Sequence, residues 1–360
     1  MVDKINKKSK VIVAMSGGVD SSVVAFLLKQ QGYEVIGLFM QFWYPSVSDA
    51  SDYGQNRCCS LESYQEALEV ARSLDVPLYK VNFGRQFKRL IVDDFLSRYR
   101  RGHTPNPCIN CNKFIKFDLL LKYAKEIFGA DYLATGHYVK IKKNRYGKYD
   151  LFRPKDVNKD QTYFLYNLKQ KQLKHLLFPL SNYDKSDVRK LAQQIGLKIF
   201  NKPDSQEICF VGKSHNDFLK KYLRLKSGEI IDSETQKKIG QHQGLVLYTL
   251  GQRSGIGLAG GPWYVSGFDR KKNYLLVSRQ KPISKQTIRF NKVNWLDELP
   301  DKNKKYSAQI RHHGICLPCR ISKLGKYWQA DFSQVHPSAM PGQSIVFYEG
   351  KRLVGGGVIV

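Results

Sequence analysis

The chain has 360 residues, 42% of them hydrophobic and 12% aromatic, and 59 Lys+Arg against 31 Asp+Glu leave a formal charge of +28. With 21 Tyr and 19 Phe it is no disordered tail protein, and its length gives room for a sizeable core in two or three domains. No apolar run approaches the ~20 residues a bilayer span needs; the composition favours a soluble, cytoplasmic enzyme with a polyanionic partner, nucleic acid ahead of an anionic membrane.

The opening MVDKINKKSKVIVAMSGG has basic residues but no signal-type apolar stretch or cleavage site, so the mature chain is expected to begin there. Lys10–Met15 reads as a short buried strand ending at Ser16-Gly17-Gly18, and Asp20 to Gln31 as a helix stopped by Gly32. Glu34–Met40 is a second strand, Leu61–Leu74 a helix, Pro77–Phe83 a third strand. Helix Lys116–Phe128 leads into strand Tyr132–Thr135, and Asp184–Ile195 is one more helix. Strands alternating with amphipathic helices predict an α/β domain, a doubly wound parallel sheet, over residues 1–212. Beyond it, β-type runs between Gly-rich turns (Gly244–Thr249, Gly261–Val265, Tyr274–Val277, Ser307–Arg311, Tyr327–Phe332, Ser344–Tyr348, Leu353–Val360) predict small antiparallel barrels or sandwiches. A boundary near Lys281–Ser284 divides them into a small β-rich linking domain, 213–282, and a C-terminal antiparallel β-barrel, 283–360. Residues 211–360 hold 25 basic and 10 acidic side chains, more basic per residue than the rest, which extends partner binding into these domains; solvated lysines are the bland alternative.

Ser16-Gly17-Gly18-Val19-Asp20-Ser21-Ser22 joins a strand to a helix. Two glycines let the backbone close on a phosphate, three hydroxyls can donate to it, and the helix N-terminus favours the anion. Asp20 beside such a site suits Mg²⁺; the alternative is a tight turn with Asp20 or Ser21 as helix cap. No Lys follows the glycines, so this is not a Walker A loop. It resembles the PP-loop of the ATP pyrophosphatases, which cleave ATP between its α- and β-phosphates.

Seven cysteines without a secretory signal favour reactive or metal-binding thiols over a disulfide framework. Thr104-Pro105-Asn106-Pro107-Cys108-Ile109-Asn110-Cys111-Asn112 is a proline-stiffened loop expected to enter a helix at about Lys113. Cys111 would then lie at a helix N-terminus near Lys113 and Lys116, which favours thiolate. Cys209 sits in the polar turn PDSQEICF, before the domain boundary. Cys316 and Cys319 form a second C-x₂-C; a Cys₄ zinc site with Cys108 and Cys111 is disfavoured because the pairs lie in different domains, and a β-hairpin position is expected. Cys58 and Cys59, in a polar loop, are given no catalytic role.

SGGVDSS, TPNPCxxCN, ATGHY (Ala134–Tyr138), KDQTYFL (Lys159–Leu165), PDSQEICF and YTLGQR (Tyr248–Arg253) occur in this order. Together they resemble the bacterial tRNA-specific 2-thiouridylases across essentially the whole chain. The resemblance implies a tRNA sulfurtransferase using ATP and Mg²⁺ to thiolate the wobble uridine. ATP would sit on Ala14, Met15, Ser16, Gly17, Gly18, Val19, Asp20 and Ser21, with Met40 and Gly136 lining the adenosine. It implies Cys209 as the persulfide carrier, loaded by a sulfur-donor protein (a cysteine desulfurase or a relay protein), and Cys111 as the nucleophile that ends in a disulfide with it. tRNA contacts would fall on Asn106, Pro107, Cys108, His137, Lys159, Asp160, Gln161, Arg311, His312 and Gln343. Several members carry Asp where this chain has Cys108, and the three thiols Cys108, Cys111 and Cys209 could alternatively hold a [4Fe–4S] cluster. The rivals are a PP-loop synthetase with a small-molecule substrate, which needs no cysteine pair or basic β appendage, and a zinc-stapled RNA-binding protein, which leaves SGGVDSS unexplained.

Overall fold

The computed structural model describes residues 9–44, 60–204, 208–212, 214–282, 286–334 and 339–360; Cys58, Cys59 and three residues of PDSQEICF (Ser205, Gln206, Glu207) lie outside them. Strand β1 (Lys10–Met15) is a run of Val, Ile, Ala and Met, buried from Val11 onward, as a central parallel strand must be. Helix α1 (Val19–Gln30) follows it, then β2 (Glu34–Gln41), helix α2 (Leu61–Ser73) and β3 (Leu78–Asn82). Two helical runs come next, α3 over residues 84–100 and α4 over residues 107–128, each containing a stretch of wider π-type turns. After β4 (Tyr132–Ala134) the chain makes a hairpin, β5 (Lys140–Lys143) and β6 (Tyr149–Phe152), and returns as β7 (Leu176–Leu177). Helix α5 (Lys185–Gln194) closes the domain.

The sheet is parallel with strand order β3-β2-β1-β4-β7. Successive residues of a strand face opposite sides. Val11, Val13 and Met15 therefore pack against Val23 and Val24 of α1, Ala67 of α2 and Val188 of α5. Ile12 and Ala14 pack on the other side with Phe87 and Phe95 of α3 and Ile115 and Phe117 of α4. This is the doubly wound arrangement expected.

Helix α6 (His215–Tyr222) leads to a small sheet of β8 (Gly228–Asp232), β9 (Lys238–His242), β10 (Tyr264–Asp269) and β11 (Tyr274–Ser278), in the order β10-β11-β8-β9. It is not purely antiparallel, because β8 and β11 run parallel. Nor is Gly244–Thr249 a strand: Leu245–Leu247 forms a 3₁₀ turn. Leu247 reaches the large core, Leu245 packs on the small sheet and Tyr248 touches both, so the run bridges two cores instead of alternating across one.

Strands β12 (Thr287–Trp295), β13 (Tyr306–Gln309), β14 (Leu317–Leu324), β15 (Tyr327–Phe332), β16 (Ser344–Glu349) and β17 (Arg352–Ile359) follow. They close into an antiparallel barrel through β12–β17 pairing, around Phe290, Ile321, Ile345 and Phe347. Hairpin β5–β6 joins this sheet, Phe152 pairing with Arg352 of β17, so the first domain contributes two strands to the barrel's outer edge. Further ties run from Arg153 N to Lys351 O (2.9 Å), Thr104 N to Pro341 O (2.9 Å) and the Tyr163 hydroxyl to Ser344 O (2.9 Å).

Candidate active site

In the sheet order, the chain leaves β1 toward β2 on one side and β4 lies on the other, so a crevice opens at the carboxyl ends of β1 and β4. The SGGVDSS loop fills it. Gly17 has φ +69°, and a Cβ there would come within 2.2 Å of Ser63 O, so only glycine fits against the start of α2. Gly136, just past β4, packs on the first turn of α1, where a Cβ would lie 2.9 Å from Asp20 Cβ. The cap of α1 is Gly18, which makes no side-chain hydrogen bond, so neither Asp20 nor Ser21 caps the helix. Instead the Ser21 and Ser22 hydroxyls donate back to Gly18 O (3.0 and 2.9 Å), and Ser16 N donates to Ser21 Oγ (3.3 Å). An uncapped helix start beside two glycines is a site for an anion.

Asp20 is held from two sides at Oδ1, by the Tyr138 hydroxyl (2.8 Å) and by Lys185 Nζ (2.7 Å). Lys185 also contacts Asp204 Oδ1 (2.7 Å), and Lys159 Nζ donates to Asp204 Oδ2 (2.6 Å), with Arg189 at 3.6 Å. Burial would raise the Asp204 carboxyl, but the hydrogen bonds and charges of Lys185 and Lys159 outweigh it and hold it below the usual carboxylate range. Lys202 donates to Gly17 O (3.3 Å) and pairs with Glu66. Tyr138 closes the ATGHY motif, whereas Lys185, Arg189 and Lys202 carry no motif of their own; only the folded chain brings them to the loop.

The cysteine loop differs from expectation. The helix begins at Pro107, not near Lys113: Asn106 is its cap, its Oδ1 accepting from Cys108 N (3.1 Å), and Pro107 takes the first helical position. Cys108, exposed, therefore occupies the first turn, and Cys111 lies a turn further in, buried, at the start of the π-type stretch. Cys111 belongs to the large core cluster and Cys209 packs against the same cluster. Phe210 anchors that segment edge-on to Phe87, Phe95 and Phe218. Asn112, also buried, has its Oδ1 without a hydrogen-bond partner among the described residues. Cys319 is buried inside β14 and Cys316 precedes it, its Sγ accepting from Arg153 (2.9 Å); β14 and β15 form the expected hairpin. Among the described residues no three His, Cys, Asp or Glu side chains converge on a point where a metal ion could sit. Cys108, Cys111 and Cys209, as placed, do not form a cluster's ligand set.

Of the remaining residues, Met15 and Met40 lie in the sheet, buried, at the carboxyl ends of their strands. His137 is buried, its Nδ1 2.7 Å from the Thr135 hydroxyl, and burial and then Lys116 push it well below the ordinary histidine range, so it is neutral at pH 7. Gln161 Oε1 accepts from Tyr138 N (3.0 Å). Asp160 is interior: Oδ2 pairs with Arg153 (2.5 Å), and Oδ1 accepts from Thr162 N (2.9 Å) and from its hydroxyl (2.6 Å). Its carboxylate holds the first domain together beside the barrel. His312 packs on Phe164 with ring centroids 4.3 Å apart, Arg311 beside it is exposed, and Gln343 is half-buried next to Gly342.

Three family profiles cover the chain in turn: one described as tRNA methyl transferase HUP domain at residues 9–213, a tRNA methyl transferase PRC-barrel domain at 216–279, and an aminomethyltransferase beta-barrel domain at 285–359. A curated protein of Carboxydothermus hydrogenoformans, tRNA-specific 2-thiouridylase MnmA, is 44% identical over 99% of both chains. The MnmA of Buchnera aphidicola is 42% identical over 99% of this chain and 98% of its own. The chain belongs to the tRNA-specific 2-thiouridylase family. A solved 4-thiouridine synthetase–RNA complex with bound ATP aligns at 19% identity and TM-score 0.38, over 59% of this chain and 49% of its own, too loosely to bear on this 2-thiouridylase-family site.

Proposed function

We propose that the protein thiolates a tRNA uridine at C2 in an ATP-dependent reaction. The observation that carries this is the pairing of an uncapped, glycine-built anion loop at the crevice of the sheet with two cysteines, Cys111 and Cys209, set against one core cluster of the same domain. ATP would lie with its phosphates on Ser16 to Ser21, near Lys185 and Lys202. Asp20 is the loop carboxylate that would hold Mg²⁺, whose role when bound is to neutralise phosphate charge. Uridine O2 attacks the α-phosphate and pyrophosphate leaves, because an oxygen at C2 is a poor leaving group until it carries adenylate. The outer sulfur of a Cys209 persulfide then adds to C2 and AMP departs. Cys111 attacks Cys209 Sγ, leaving sulfur on the base and a Cys111–Cys209 disulfide that a thiol reductant must reopen. No step is routed through an iron–sulfur cluster, since among the described residues no three such side chains form a group that could hold one. A sulfur-donor protein supplies the persulfide.

The test is direct. Purified protein with unmodified tRNA, ATP·Mg²⁺ and a persulfide source is expected to give 2-thiouridine, AMP and pyrophosphate, with nucleosides identified by mass spectrometry. Cys111→Ser and Cys209→Ser are each expected to abolish product while retaining ATP binding. Full activity in either variant overturns the assigned roles.

A further inference from the structure

A cleft of about 390 Å³ lies between α3, α4 and the barrel, away from the nucleotide loop's own residues. Its volume is that of a small-ligand site. Arg89, Arg98, Lys113 and Lys292 line it, with one carboxylate, Asp94. That carboxylate is already committed: Arg98 Nε lies 2.7 Å from Asp94 Oδ2, and Asn110 Nδ2 donates to the same oxygen (2.8 Å).

The cations that line the cleft come from the first domain and the barrel, with Arg101 and Arg270 nearby beside His103. Arg98, Arg101 and Lys113 belong to the first domain and Lys292 to the barrel. Arg270, from the turn between β10 and β11, lies so close over Gly102 that a Cβ there would meet its guanidinium. Lys113 is half-buried, and burial, then Lys169, Lys292 and Arg98, all push its ammonium pKa downward. No carboxylate is among the groups acting on it. His103 is lowered in the same way by burial and by Arg101, Arg98, Arg270 and Lys292. Lys292 sits in a bulge of β12 between Asn291 and Asn294, at φ +48°, a conformation that non-glycine residues rarely adopt and that redirects a side chain from a strand. Gathering like charges into a part-buried cleft costs free energy unless an anion completes it.

The anion's identity follows from what shares the wall. Pro105 and Asn106 line the cleft two and one residues before the Pro107-Cys108 turn, and Gly342 and Ser344 flank Gln343. We propose that this cleft holds a phosphodiester of the RNA backbone beside the target nucleotide, with Lys113 and Lys292 as its principal ligands. The proposal rests on the tRNA reading above and adds a site to it.

Binding of unmodified tRNA by wild type, Lys113→Gln, Lys292→Gln and the conservative Lys113→Arg, each across a salt series, tests it. Each Gln variant is expected to weaken tRNA binding about ten-fold and to reduce the slope of log K against log salt by about one. Lys113→Arg is expected to keep both, and ATP affinity is expected to be unchanged in all three. Wild-type tRNA affinity and slope in both Gln variants would overturn the proposal. So would a loss of pyrophosphate or ATP affinity with tRNA binding intact, which would make the cleft a free-anion site. If wild type itself forms no 2-thiouridine and binds no tRNA, the functional reading falls and takes the site with it. If wild type is active and the variants are indistinguishable from it, only the site falls.

Discussion

At the scale of single residues, the nucleotide loop leaves no room for a side chain at Gly17. Gly17→Ala would place a methyl group 2.2 Å from Ser63 O at a positive φ. A cost of at least about 2 kcal/mol in unfolding free energy is expected, together with loss of ATP binding, measurable by denaturant titration and calorimetry. Cys108 is the opposite case. It is exposed in the first turn of α4, where the helix dipole favours a negative side chain. Cys108→Asp is expected to change stability by no more than about 0.5–1 kcal/mol, toward stabilisation, and to keep thiolation activity. Loss of activity with an intact fold would show that the thiol has a chemical role, such as ligation.

At the scale of elements, the segment bearing Cys209 is held through its neighbour. Phe210 is buried among Phe87, Phe95 and Phe218. Phe210→Ala is expected to cost about 3–5 kcal/mol and to slow sulfur transfer more than adenylation, read by comparing 2-thiouridine yield with pyrophosphate release. The elements that place this site were mostly legible in the sequence, because a central parallel strand is an unbroken apolar run: β1 is Lys10–Met15 in both readings. Helix α3 carried no clear stop or start and was not foreseen, and α4 begins at Pro107, where Asn106 and Pro107 together signal a cap that the prolines' loop character obscured. Hairpin β5–β6 could not be assigned from local pattern, since its reason for existing is the edge of a barrel formed two hundred residues later. Likewise SGGVDSS announces an anion site and ATGHY carries Tyr138, whereas Lys185 and Lys202, ordinary residues in ordinary contexts, join it only through chain folding.

At the scale of the whole molecule, the charge of +28 is not an even coat, since Arg89, Arg98 and Lys113 of the first domain and Lys292 of the barrel gather around one cleft. Stability depends on pH through the histidines. His103, His137, His175, His215, His242 and His312 all have lowered pKa values, burial being the leading cause in each, with His312 pushed down to about 4. An unfolded chain takes up these protons as pH falls through about 6.5, whereas the folded chain does not. Stability is thus fully present above that pH and is lost as pH drops toward the folded values. The melting temperature is expected to fall by several degrees between pH 7 and pH 5, and a flat profile would contradict the burial of these rings. No described helix is long and apolar enough to cross a membrane.

The Lys185 ammonium clasps Asp20 of the nucleotide loop and Asp204, five residues before Cys209, at the same time. A polyphosphate at the loop would bring several negative charges to an ammonium already shared between two carboxylates, and would compete with both for it. Under the proposed function, this shared ammonium would link nucleotide entry to the carboxylate that precedes Cys209 in the chain. Asp204→Asn is expected to tighten ATP binding and to uncouple the two half-reactions, so that pyrophosphate is released without matching 2-thiouridine; stoichiometric products from that variant would show that the clasp only holds the fold.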